Sequence, residues 1–120
     1  MLADTPVDSD AAFLVLAVGE RQDARMAVIV QFTVSPATQD QFNEVDARVG
    51  QAMMAAGGPP AGLMSHVVYP QGDGCVVADV WRTEAEGRAY VEDVLRPLFA
   101  EVGLSSHEVT AASAWSFARP

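Results

Sequence analysis

His66 and Asp79 are the residues of this chain whose types and spacing point most directly to proton chemistry. An imidazole held in one tautomer by a carboxylate is a more effective base than a free one. Such a base takes a proton from a phenol or from a carbon beside a carbonyl. Trp81 stands two residues beyond Asp79, which on a strand is the same side, and offers an aromatic ligand a flat wall and an indole N–H donor. Met64 and Val77 fall on that side as well and would set the size of the space. The competing reading is a buried polar pair that only satisfies itself, with Trp81 as ordinary filling at a strand end.

A hairpin must bring these residues together. Gly62 to Trp81 holds two apolar runs around Gln71-Gly72-Asp73-Gly74, which is rich in residues that tolerate positive φ. A loop over 71–74 keeps strand partners at odd index sums and sets His66 opposite Asp79. Met64, His66 and Val68 then share a face with Val77, Asp79 and Trp81. Ser65, Val67, Tyr69, Val76, Ala78 and Val80 form the other face. Being the more uniformly apolar, that second face is expected to lie under the helices. The His/Asp/Trp face, too greasy to stay wet, would then be covered by a second copy of the sheet, enclosing a half-apolar chamber in a symmetric dimer.

The flanking segments complete the pattern. Met26 to Val34 is a strand run, and placing Val28, Val30 and Phe32 under the helices would send Gln31 to the chamber as a donor to a ligand carbonyl. Ser35-Pro36 suggests a helix start, followed by apolar positions Phe42, Val45, Val49, Ala52, Met53 and Ala56, with Gly57-Gly58-Pro59-Pro60 as the stop. Thr83 to Glu86 fits a capping box before a second helix with the stripe Val91, Val94, Leu95, Leu98, Phe99 and Val102. Pro97 should kink that helix near Asp93, and Gly103 should end it. A last strand over 107–117 would put His107, Trp115 and Phe117 on one face, with Trp115 a further candidate wall for the ligand. The expected fold is α+β, a ferredoxin-like βαββαβ chain with a four-stranded antiparallel sheet and both helices on one face.

Composition narrows the function. A formal net charge of −9 with no local run of basic residues argues against nucleic acid and anionic membrane surfaces. Cys75 is the only cysteine, so no internal disulfide forms, and two distant histidines make a protein-held metal improbable. The apolar run Ala11 to Val18 follows Asp4, Asp8 and Asp10 rather than basic residues, and it is far shorter than the roughly 20 residues that span a bilayer. A cytoplasmic protein is expected, with residues 1–25 as an N-terminal extension and 26–120 as the domain. No dinucleotide fingerprint, P-loop, zinc-protease or nucleophile-elbow motif is present. Any redox step would draw on oxygen and the substrate, without a cofactor.

From Met26 onward, the order of elements resembles the dimeric α+β barrel superfamily. So do the strand end Asp79-Val80-Trp81-Arg82-Thr83, running into a capped helix, and the segment Leu95-Arg96-Pro97-Leu98. Within that superfamily the chain is most similar to the antibiotic-biosynthesis-monooxygenase-like domains. The resemblance implies a homodimer binding a small aromatic or polyketide-like molecule, and a cofactor-independent monooxygenase. It equally accommodates an isomerase or cyclase in the same cavity, or a non-catalytic binding or dimerisation module. The haem-degrading branch shares the tryptophan but relies on an axial histidine in the second helix, and residues 83–103 contain none.

Overall fold

The computed structural model describes residues 27–118, so the expected extension over residues 1–25 lies outside the described residues. Two units are distinguished among the described residues, Val28–Ala112 and a second that holds Ala27 and residues 113–118. The first carries β1 (Val28–Val34), α1 (Gln39–Ala55), β2 (Leu63–Gln71), β3 (Gly74–Trp81) and α2 (Glu84–Tyr90). A π-helical turn (Val91–Leu95) then leads to α3 (Arg96–Glu101) and β4 (Thr110–Ser113). The strands form one sheet in the order β2-β3-β1-β4, the ferredoxin-like arrangement. No helix among the described residues is long and apolar enough to cross a membrane.

Local chemistry explains each boundary. Helix α1 starts at Thr38 rather than at Ser35-Pro36. The Thr38 hydroxyl accepts from the Gln41 amide at 3.1 Å while the Gln41 side chain accepts from the Thr38 amide at 3.0 Å. Ser35 is engaged elsewhere, its hydroxyl 3.0 Å from Nε2 of His107. The helix ends at Gly57 and Gly58, both with positive φ. The hairpin closes tightly, Gln71 pairing with Gly74 across a turn in which Gly72 has φ of 58°. Gly74 admits no side chain, because a Cβ there would stand 1.9 Å from the Val34 carbonyl oxygen.

Thr83 caps α2 by accepting from the Glu86 amide. The helix runs on through the π-helical turn, where the Arg96 amide bonds the Val91 carbonyl five residues back. Pro97 has no amide to offer the Asp93 carbonyl and its ring would strike it, and the wider turn over Val91–Leu95, where the kink was expected, accommodates that conflict. Gly103, at φ 83°, ends the helix. The last strand is shorter than expected. Residues 107–109 remain outside it, although the His107 amide still bonds the Thr33 carbonyl, and only Thr110–Ser113 pairs. Small Ala side chains supply little cross-strand packing to extend it.

The faces of the β2–β3 hairpin are reversed relative to expectation, whereas Val28, Val30 and Phe32 of β1 do lie on the helix side as expected. Val30, Phe32 and Val34 of β1 and Val77 and Trp81 of β3 form one core with Val45 of α1 and Val91, Leu95 and Phe99 of the second helix. Phe32 and Phe99 meet edge to face at 5.7 Å. The register pairs Val28 with Trp81, Val30 with Asp79 and Phe32 with Val77. The even positions of β1 therefore share a side with the odd positions of β3. Both large aromatics of these strands lie on that side, and burying side chains of that size stabilises by about 1.5–3 kcal/mol each. The opposite face carries Ile29, Gln31, Thr33, Val67, Tyr69, Val76, Ala78 and Val80. Tyr69, expected under the helices, lies there and is 41% exposed.

Candidate functional site

His66 pairs with Asp79 across β2 and β3, as the hairpin register requires. Nδ1 of His66 lies 2.6 Å from Oδ1 of Asp79. An ionised carboxylate only accepts, so Nδ1 carries the proton and Nε2 is the lone-pair nitrogen. The two ends of the pair differ sharply in environment. Asp79 sits on an inner strand and its side chain is 5% exposed, whereas His66 sits on the edge strand β2 at 46%. The hydrogen bond that Nδ1–H donates to Asp79 raises the imidazole pKa above its ordinary value. Partial burial opposes the rise, and the charges of Asp79 and of Asp46 on α1 add to it. The arrangement holds the imidazole by Nδ1 to a buried carboxylate and leaves the side chain 46% exposed at the sheet edge.

The pair nevertheless lies on the helix side of the sheet, so a chamber between two facing sheets does not contain it. Below it stand Trp81 and Tyr90, their rings 5.5 Å apart and tilted by 49°. Trp81 is 1% exposed. Gly87 lets α2 approach it, since a Cβ at that position would stand 2.7 Å from the indole Cδ1. Nε1 of Trp81 and the hydroxyl of Tyr90 are both buried, with no hydrogen-bond partner among the described residues. An unpaired buried donor costs about 1–3 kcal/mol. Burial, and then the charge of Asp79, push the Tyr90 hydroxyl pKa up, keeping it protonated. Both rings wall a cleft of about 310 Å³ between the Pro60-Ala61-Gly62 segment and α2 with its π-helical continuation.

By sequence Tyr90 is a potential proton donor that falls beside the apolar stripe of its helix and so reads as structural. The available signal was Gly87 three residues before it. A glycine inside an amphipathic helix marks close approach, and the residue one turn on faces the same neighbour.

The other sequence candidates scatter. Val77, 1% exposed, is part of the core. Met64 falls at an irregularity of register between Leu63 and Ser65, which breaks the alternation that would have aligned it with His66. Gln31 is exposed on the opposite face, across from Ala78. Trp115 lies beyond β4 in the second unit and is 97% exposed. Cys75 packs against the core and its thiol pKa is raised by burial, as befits a small apolar side chain. His107 ties the end of β1 through Ser35, its Nε2 also lying 3.2 Å from the Ser35 carbonyl oxygen. A further cleft of about 390 Å³ opens at the hairpin tip beside the start of α1. Among the described residues no three His, Cys, Asp or Glu side chains gather to hold a metal ion.

The fold and this layer between sheet and helix define an α+β protein of the ferredoxin-like class. No family model matches the chain, and no curated protein does either. Solved structures do. A conserved protein from Methanosarcina mazei Go1 aligns over 78% of this chain and 97% of its own, at TM-score 0.53 and 11% identity. SnoaB, a cofactor-independent oxygenase from Streptomyces nogalater, aligns over 73% of this chain and 90% of its own, at TM-score 0.47 and 23% identity. A single-site mutant of SnoaB gives TM-score 0.49 at 21% identity, over 76% of this chain and 93% of its own. At such identities the likeness is one of fold.

Proposed function

We propose that this chain binds a small aromatic or enolisable molecule and removes a proton from it, with His66 as the base and Asp79 as the group that orients it. The observation that carries this reading is the 2.6 Å contact between Nδ1 of His66 and a carboxylate that is itself 5% exposed. The hydrogen bond to Asp79 makes the imidazole more basic than a free one, as a proton-abstracting group requires. The electron-rich anion left by deprotonation would react with dioxygen directly, a cofactor-independent monooxygenation. The attacked carbon becomes a carbonyl with one oxygen atom, the other leaves as water with that carbon's two hydrogens, and the substrate supplies all the electrons. A second copy of the chain would pair through the opposite sheet face, where Val67 is 51% exposed beside Tyr69. One observation favours a second reading, a non-catalytic binding module: neither of the two clefts described is walled by His66.

The test uses 5-nitrobenzisoxazole, whose ring opens to a coloured phenolate on loss of one acidic C–H proton. Saturable turnover by the protein that disappears in His66→Ala, with the melting temperature retained, is the expected result. Equal rates in the two proteins would remove His66 as the base and leave the binding module.

A further inference from the structure

We infer that the groove between α1 and β2 holds the substrate of the His66 base, a neutral carbon acid whose compact enolisable head meets the imidazole and whose alkyl tail fills the cleft at the hairpin tip. This rests on the base assigned above and adds where the substrate lies and to which class it belongs. The cleft, of about 390 Å³, is walled by Phe42 of α1 and by Val68, Pro70 and Cys75 of the hairpin. Val68 follows His66 on the same face of β2, about 7 Å along the strand. On α1, Asp46, whose charge acts on the imidazole, stands one turn beyond Phe42 and Asn43, which line the cleft. One groove therefore runs from the hairpin tip to His66, and the cleft is the part of it that begins at Val68.

Shape and charge then choose among substrates. A molecule that loses its proton at His66 and keeps its apolar part in the cleft must reach past Val68, so head and tail are joined end to end. The head meets the carboxylates of Asp79 and Asp46, which repel an anionic group such as a carboxylate or phosphate. The tail gains nothing from a charge either. Asp73 borders the cleft, and Asp40 in the first turn of α1 offsets the positive end of that helix. Phe42, Val68, Pro70 and Cys75 offer apolar surface, which shields methylenes from water. The step asked of the pair is proton transfer alone. Nε2 of His66 takes a proton from the carbon between two carbonyls, and the electrons of the broken C–H bond stay in the enolate. In heavy water the imidazolium exchanges that proton and returns a deuteron to the same carbon.

The experiment follows that exchange by NMR with the full chain and a series of neutral diketones, acetylacetone, heptane-2,4-dione and nonane-2,4-dione. Succinylacetone, which carries a carboxylate where heptane-2,4-dione has its terminal methyl, is the charged member. Lengthening the tail from acetylacetone to nonane-2,4-dione should raise kcat/KM at least roughly tenfold, through KM with kcat unchanged, as partial burial of the added methylenes provides. Succinylacetone should fall below heptane-2,4-dione. Asn43→Trp, placed at an exposed lining position and with the melting temperature retained, should bring nonane-2,4-dione down to the kcat/KM of acetylacetone. A series that does not rise with chain length overturns the inference, as does succinylacetone exchanging faster than heptane-2,4-dione, or a chain-length effect kept in full by Asn43→Trp. A flat series whose exchange His66→Ala still abolishes removes the groove and leaves the base standing. Exchange unchanged in His66→Ala removes the base, and this assignment with it.

Discussion

Two glycines in helices should respond to the same substitution with opposite signs. Gly87 lies in α2 against the core, and a Cβ there would stand 2.7 Å and 2.9 Å from the Trp81 ring and 2.8 Å from a methyl of Val30. Neither neighbour is free to give way, since Trp81 and Val30 are each 1% exposed. Overpacking of this kind costs about 1–3 kcal/mol. Alanine recovers at most about 1 kcal/mol of helix propensity. The net effect of Gly87→Ala is a loss of about 0–2 kcal/mol, toward the upper end because both neighbours are held in the core. Gly50 lies inside α1, is exposed, and has nothing within 4 Å of its would-be Cβ. Gly50→Ala therefore keeps the propensity gain and should stabilise by about 0.5–1 kcal/mol. Urea unfolding of both variants, followed by Trp81 emission in the Trp115→Phe background, measures the two shifts at constant slope. A Gly87→Ala protein as stable as the parent would show that α2 does not press on Trp81, and the packing of the candidate site would have to be redrawn.

The His66–Asp79 pair should make stability depend on pH in a defined direction. The imidazole pKa is higher folded than unfolded, so the contribution is complete below the unfolded value and fades as pH rises through the folded one. Urea midpoints should thus fall from mildly acidic to mildly alkaline pH, and the His66→Ala protein should lose that slope. Thr38→Ala removes the reciprocal cap of α1 and should cost about 1 kcal/mol in the same assay. A cost near zero would mean that α1 is held by its packing alone.

Much of the fold is legible because it depends on neighbours in sequence. The Thr83 cap, the stripe of Val91, Leu95 and Phe99, and the stops at Gly57 and Gly103 all follow from residues a few positions apart. The pairing of His66 with Asp79 is of the same kind, since a tight turn at Gly72-Asp73 fixes the index sum for the whole hairpin. The pairing of β1 with β3 is not, because no hairpin joins them. The expectation set Val30 and Phe32 under the helices together with Val76, Ala78 and Val80, and the observed register forbids that combination. Volume decides the matter. The space between a sheet and two helices must be filled to crystal-like density, and Trp81 with Phe32 fills it where alanine cannot.

The same register explains why the candidate base survives the reversal of faces. Had His66 stood on β1 or β3, with a strand on each side and helices above, its imidazole would be enclosed like Asp79 and its Nε2 would have no approach. On β2 one flank has no neighbouring strand, so the ring can reach inward to a buried carboxylate and still be 46% exposed. Covering the helix side costs the pair only part of its hydration, and that loss falls mostly on Asp79, which is compensated by a charge-assisted hydrogen bond. The chemistry open to the pair therefore depends on its position at the sheet edge rather than on a chamber between sheets. A ligand of His66 would come from the flank of β2 and α1, where the charge of Asp46 acts on the imidazole together with that of Asp79.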